Sequence, residues 1–313
     1  MRASLAVLAL IALTAGCGSA TSPSKRGAPT PGSLQALWNQ SEESVGLIPG
    51  TTDYSPGDLR ISFLVVDHRG RVVAPPKARF WIARRLLSKP FAQTVARLEN
   101  VGVPGLTTRE PVKALYVAHV RVPRAGTYWV LARPLGRVRI GGVTQVVVNE
   151  HSTSPAVGTR AFPSHTPTLA TAHGRTAELT TRVPPDRGLL RYSIAESLTA
   201  HAPFVVTFAT PRWCTSRTCG PVVDVVQAAR RQFASSLVRF IHVEVYAGND
   251  PRKGYNRWYR EWHLRSEPWT FLIGADGRIA GSWDTVVTRQ EIEPLLAALP
   301  FNQAGGSPSG AAP

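Results

Sequence analysis

Two cysteines five positions apart, Cys214 and Cys219, are the residues whose type and spacing most directly suggest chemistry. Trp213 precedes the first, and Thr215, Ser216, Arg217 and Thr218 fill the gap. A cysteine reacts as its thiolate, which is favoured beside a cation or at the positive end of a helix. Arg212 and Arg217 supply the charge. Gly220-Pro221 supplies the helix start, because proline suits the first helical position. The chemistry written here is that of an activated thiolate.

The surrounding elements must hold that site. From about residue 181 strands alternate with helices, an α/β signature. A short helix fits Ser193–Ala200 and a buried strand Phe204–Ala209. A helix is expected from Pro221 to about Leu237, then a strand over Arg239–Tyr246. Asp250-Pro251 reads as a cap and first-turn proline opening a helix toward His263. Trp269–Ile273 and Arg278–Trp283 form a hairpin around Asp276-Gly277. Thr288-Arg289-Gln290-Glu291 is a capping box for a last helix ending near Leu299. Residues 57–150 instead alternate with period two. Strands are expected there over Leu59–Asp67, Lys77–Arg84, Ala114–Pro123, Gly126–Leu135 and Val143–Asn149, a pattern that suggests a β-sandwich. Residues 151–180 are rich in Pro, Thr and Ser and read as a linker or wrapped connection. Residues 300–313 read as a disordered tail.

Composition sets the outer limits. With 43% hydrophobic residues in a chain of 313, packed cores are expected and wholesale disorder is excluded. Three cysteines exclude a disulfide-dense scaffold. The net charge of +16 is spread in ones and twos, such as Arg84-Arg85 and Arg230-Arg231, and forms no basic stripe. It therefore argues for attraction to an anionic membrane or wall polymer rather than for a nucleic-acid site.

Met1-Arg2 and the short apolar run Leu5–Leu13 lead into Leu13-Thr14-Ala15-Gly16-Cys17, which resembles the lipobox of bacterial lipoprotein signal peptides. Thr14 stands where that family favours Leu. The resemblance implies cleavage before Cys17, its acylation, and a protein anchored by lipid at the outer face of the cell membrane, with residues 18–40 as a tether. Disulfides persist in that compartment. With Cys17 carrying lipid, Cys214 and Cys219 are left as the one available pair.

Phe204-Val205-Val206-Thr207-Phe208-Ala209 leading to Trp213-Cys214, together with Leu264-Arg265-Ser266-Glu267-Pro268-Trp269-Thr270-Phe271-Leu272-Ile273 and Asp276-Gly277, resembles the thioredoxin-like superfamily. The likeness is to its TlpA-like membrane-anchored thiol–disulfide oxidoreductases, over residues 181–299. It implies an α/β thioredoxin-like fold, with Cys214 as nucleophile and Cys219 as resolving thiol. It also implies a cis Pro268 beside them and substrate contacts from Trp213 and Pro268. Tyr116–Leu131, with Ala125-Gly126-Thr127-Tyr128-Trp129, resembles the late strands of immunoglobulin-like modules, so residues 41–150 are expected to be an immunoglobulin-like sandwich. Departures are plain. The family keeps two residues between its cysteines, not four, and a buried acid where Thr207 stands. Ser266 replaces its Gly and Trp269 its Thr. A separation of five turns side chains about 140° apart on a regular helix. With the helix opening at Pro221, both cysteines are expected in a loop before it that can close a disulfide.

The expected function is thiol–disulfide exchange on exported proteins, without a cofactor and with a membrane electron-transfer partner. Three other readings stay open. One is an inactive binding module whose Cys pair is a structural disulfide. A second is a copper chaperone resembling the Sco type, with Cys214, Cys219 and His263 (or His242) as candidate ligands. The third is a thiol peroxidase, although Pro211 and Pro268 stand where such families place a Thr and an Arg. Trp258, Tyr259, Trp262 and Trp269 are expected mainly in the core, with one or two forming an apolar rim.

Overall fold

The computed structural model describes residues 29–105 and 113–299. The expected signal peptide, Cys17, the first part of the expected tether and residues 300–313 lie outside the described residues. Eight strands form the first sheet. They are β1 (Glu43–Ser44), β2 (Gly46–Pro49), β3 (Gly57–Val66), β4 (Lys77–Ala83), β5 (Ala92–Asn100), β6 (Ala114–Val122), β7 (Gly126–Pro134) and β8 (Ile140–Val148). Their spatial order is β1-β8-β7-β4-β5-β6-β3-β2. All neighbours are antiparallel except β1 and β8.

The sheet's two edge strands are separated in the chain only by Val45, so the sheet curls until its edges nearly meet. Val45 N–H still bonds the Gly141 carbonyl across the seam at 3.2 Å. Gly142 permits that approach, since a Cβ there would lie 2.4 Å from the Val45 carbonyl oxygen. Alternate residues point into the enclosed space, as the strand period requires. Leu59, Ile61, Phe63 and Val65 of β3 meet Phe80 and Ile82 of β4 and Tyr116, Ala118 and Val120 of β6 in one core. Phe63 stacks between Phe80 and Tyr116.

The second sheet has four strands: β9 (Phe204–Phe208), β10 (Arg239–Val243), β11 (Trp269–Ile273) and β12 (Ile279–Asp284), ordered β10-β9-β11-β12. Only β10 and β9 run parallel. Five α-helices occur among the described residues: α1 (Leu34–Trp38), α2 (Ile194–Thr199), α3 (Cys219–Gln232), α4 (Arg257–Glu261) and α5 (Arg289–Ala297). Helix α3 brings Val222, Val223, Val226 and Ala229 against one face of this sheet, where Ile292 and Leu296 of α5 join them. The opposite face is covered by Ile194, Tyr259, Trp262 and Phe162.

This architecture corrects the expected pairing of an immunoglobulin-like sandwich with an α/β thioredoxin-like fold. The molecule is mostly β: one eight-stranded mixed sheet nearly closed into a barrel, plus a four-stranded sheet. Alternation states which side chains face inward, but it cannot state whether strands divide into two sheets or curl into one. Helix is also shorter than expected. Only α3, at 14 residues, is long. The helix expected from Asp250 is a single 3₁₀ turn, Pro251–Lys253, stopped at Gly254 with φ 71°, and α4 restarts under an Asn256 cap. The tether reading also ends too late, because Leu34 of α1 is fully buried against Trp81 and Leu131.

One buried carboxylate joins the two sheets. Asp284 at the end of β12 accepts from Thr52 N–H at 2.9 Å, Thr52 Oγ1 at 3.2 Å and Asp53 N–H at 3.4 Å, all on the barrel side. Its other oxygen accepts from Ser266 Oγ at 2.8 Å and Thr285 Oγ1 at 3.1 Å. Nearby, Val286 packs on Val101, Leu115 and Val117, Thr288 Oγ1 donates to Glu99, and Arg60 pairs with Glu291. Asp284→Ala leaves several buried donors without an acceptor. It should cost about 3 kcal/mol, read as a lower urea midpoint; an unchanged midpoint contradicts the junction's role.

Candidate active site

Strand β9 delivers the chain to the thiols and α3 receives it. All five β9 residues are buried, and β9 is flanked by β10 and β11, which fixes its C-terminal end. A turn follows, closed by Trp213 N–H to the Thr210 carbonyl at 3.1 Å. The chain then reverses at Arg217, whose φ is 59°. This left-handed residue is what lets a five-residue separation close on itself. Helix α3 begins at Cys219, not at Pro221, so Cys219 sits in the first turn rather than in the loop before it. Pro221 fits at the third position because the first N–H groups of a helix have no intrahelical partner.

Thr218 occupies the N-cap position of α3 but makes no side-chain cap. The sulfur of Cys214 takes that role, accepting the Cys219 N–H at 3.3 Å. Ser216 Oγ lies 3.2 Å from the same sulfur and 2.8 Å from Thr218 Oγ1. An anion at this position is stabilised by the helix macrodipole and by direct donors together. The Cys214 thiol is accordingly brought down to about 6, first by a hydrogen bond from the Cys219 thiol, against burial, then by Ser216 and the N–H groups of Cys219 and Thr218.

Cys219 behaves in the opposite way. Its side chain is fully buried among Val222, Val223 and Ala209. Burial pushes its thiol well above the ordinary value, and the hydrogen bond and charge of Cys214 push it further. Both cysteines are free, with no bond between them. The pair is therefore an accessible, acidic thiol resting on a buried, reluctant one.

Glu267 and Pro268 face this pair. Their peptide bond is cis. The Glu267 carbonyl oxygen lies 3.5 Å from Ser216 Oγ. Pro268 is buried, while Trp213 is 40% exposed. The indole of Trp213 donates to the Asn249 carbonyl at 2.9 Å, and Arg212 lies 4.9 Å above the ring. Thus the cis Glu267–Pro268 peptide lies against the Cys214 loop through Ser216, with Cys219 and Pro268 buried and Trp213 exposed. Sequence reasoning missed Glu267 as a participant. Its carboxyl is pushed up to about 7, mainly by burial and next by the charge of Cys214.

No protein-family model matches this chain, and the search of curated proteins finds no match.

The other candidates have partners of their own. His263 packs edge-on against Phe162, 5.6 Å between ring centres. His242 is buried, with Nδ1 3.2 Å from Thr180 Oγ1 and Nε2 2.9 Å from the Ala209 carbonyl oxygen, and burial lowers its pKa. Among the described residues no three His, Cys, Asp or Glu side chains gather as metal ligands. Thr207 is buried and donates to the Trp269 carbonyl at 3.3 Å, so no acid lies there. Tyr259, Trp262 and Trp269 are core residues. Tyr255 is 39% exposed and stacks on Tyr246.

Alkylation of reduced protein should report this asymmetry. The rate at Cys214 should follow one ionisation with a midpoint near pH 6, and Cys219 should stay unmodified until unfolding. Ser216→Ala should raise the midpoint. A Cys214 midpoint at the ordinary thiol value of about 8.5 contradicts the placement.

Proposed function

We propose that the protein is a thiol–disulfide oxidoreductase acting on exported proteins, held outside the cytoplasmic membrane by lipid on Cys17. The observation that carries this reading is the Cys214 sulfur capping α3 through the Cys219 N–H. It makes a half-buried, acidic nucleophile with a second thiol directly behind it. The location rests on the charged start, short apolar run and Leu13–Cys17 motif of the sequence. Among the described residues no helix is long and apolar enough to cross a membrane.

In the reducing direction the Cys214 thiolate attacks one sulfur of a client disulfide. The client S–S bond breaks, a Cys214–client bond forms, and the first client sulfur leaves as a thiolate that takes a proton from water. Cys219 then attacks the Cys214 sulfur. The client's second sulfur departs, and Cys214 and Cys219 are left as a disulfide. The client is reduced by two electrons and the protein oxidised by two. A membrane electron-transfer partner restores the dithiol; in the oxidising direction the same steps run backward. Trp213 offers the client an apolar rim, and Arg212 and Arg217 add charge. No cofactor takes part in these steps.

Cys214→Ser should abolish reduction of a disulfide-bonded protein. Cys219→Ser should accumulate a covalent adduct through Cys214, visible by non-reducing electrophoresis and mass. Full activity in both variants would defeat the oxidoreductase reading and leave the membrane-tethered binding module.

A further inference from the structure

We propose that the cavity at the C-terminal end of β10 is a binding site for an organic cation, an alkylammonium or guanidinium group, with Glu244 as its counter-ion. This goes beyond the exchange reading and holds whether or not the thiols exchange.

The chain after β10 and the 167–179 segment beside it enclose about 440 Å³, a volume within the range of small-molecule sites. Buried His242, Glu244, Asn256 and Leu179 line the inner part, and exposed Thr171, Ala177, Glu178 and Gly248 line the mouth. Glu244 is only 5% exposed. Its Oε1 accepts the Thr181 N–H at 2.5 Å and the Thr181 hydroxyl at 2.7 Å. Its Oε2 is buried and has no hydrogen-bond partner. Thr181 is not a wall of the cavity, so Oε1 is committed elsewhere and Oε2 is the oxygen left for an occupant. A buried carboxylate oxygen without a donor is unfavourable, and a donor supplied by an occupant removes that penalty.

The protein supplies no cation to this carboxylate. Arg182 is held by Asp224 and Gln227. The Lys253 Nζ lies near Gly248 at the rim, 3.3 Å from where a Cβ would stand, and donates to neither Glu244 oxygen. His242 is neutral. Its Nε2 faces the Ala209 carbonyl and so carries the hydrogen, Nδ1 faces the Thr180 hydroxyl, and burial disfavours a second proton.

The donors of the wall are engaged within the protein. Asn249 Nδ2 donates to the Ala177 carbonyl at 2.8 Å, and Asn256 Nδ2 to the Glu244 carbonyl. Thr171 Oγ1 donates to the Thr168 carbonyl at 3.0 Å, and Trp258 Nε1–H to the His165 carbonyl at 2.8 Å. What remains is an acceptor, so an occupant must bring donors, and positive charge suits a carboxylate best. A bare metal ion needs several ligands, and among the described residues no three suitable side chains gather. Trp258 and Tyr246 give the wall aromatic surface for an alkyl stem and its charge.

The cavity adjoins the thiol loop. Asn249 lines it and takes the Trp213 indole N–H on its carbonyl at 2.9 Å. The Thr181 hydroxyl that donates to Glu244 also accepts the Arg212 N–H at 3.1 Å. The cation can therefore arrive free in solution or on a lysine side chain of a client.

The test is calorimetric titration of the full-length protein with n-butylammonium, with n-butanol as the uncharged control. Butylammonium should bind at one site per chain, and butanol should not. Glu244→Gln keeps an acceptor for Thr181 and should weaken binding about tenfold or more. Ala177→Trp, a change at the exposed mouth, should weaken it by occlusion, and it decides alone if Glu244→Gln fails to fold. Nα-acetyl-lysine amide separates the two sources. Binding as tight as that of butylammonium assigns the site to a lysine side chain, and binding of butylammonium alone assigns it to a free amine. No binding of butylammonium, or wild-type affinity in either folded variant, overturns the proposal and leaves the exchange reading intact.

Discussion

Asp284 accepts hydrogen bonds from both halves of the molecule, and the geometry facing the thiols depends on it. One oxygen takes Thr52 and Asp53 from the barrel; the other takes Ser266, which Trp269 and Tyr259 brace in turn. Residues 266–268 are thereby tied to the barrel through a buried, charge-assisted network rather than left as an independent loop. Such a network rigidifies when every donor is satisfied. The barrel's contribution to the site is thus mechanical: it fixes the wall against which the Cys214 loop closes.

The opposing wall is built from backbone. Helix α3 opens without a side-chain cap, so its first N–H is available to a sulfur. The same five-residue excursion places one thiol at the surface and the other in the core among valines. Hydrogen-bond donors acidify Cys214 against its own partial burial, while burial and its neighbour's hydrogen bond and charge suppress ionisation of Cys219. Glu267 shares that field from the opposite side. The charge of Cys214 thus raises both of its neighbours, Cys219 and Glu267.

Local pattern made much of the secondary structure legible. Strands β3, β4, β6, β7 and β8 alternate strongly because every second residue enters one core, and β9 to β12 fall on apolar runs bounded by turns. Strand β5 escaped because Ala96 is its one buried residue and Gln93, Thr94, Arg97 and Glu99 obscure the period. Closure of the barrel depends on β1 and β2 meeting opposite edges, a long-range fact with no local signature. Sandwich and barrel look alike in local pattern for that reason, and the Pro251–Lys253 3₁₀ turn carries the same cap and proline as the start of a longer helix. At the site, residue types and the left-to-right order of Cys214 and Cys219 were legible. The start of α3 was misplaced, since proline marks the first turn without marking its first residue. Glu267 was invisible as a participant, because only the tertiary approach of the β11 segment to Ser216 brings it there.

The central claim is that Cys214 and Cys219 cycle between dithiol and disulfide. Its most direct test is a redox titration of the purified protein, with alkylation of both cysteines followed by mass. A site whose reduced form is favoured by an acidic Cys214 thiolate should show a reversible midpoint between about −120 and −270 mV, the range of exchange proteins. A bridge that resists reduction below about −300 mV would mark a structural disulfide and contradict the account.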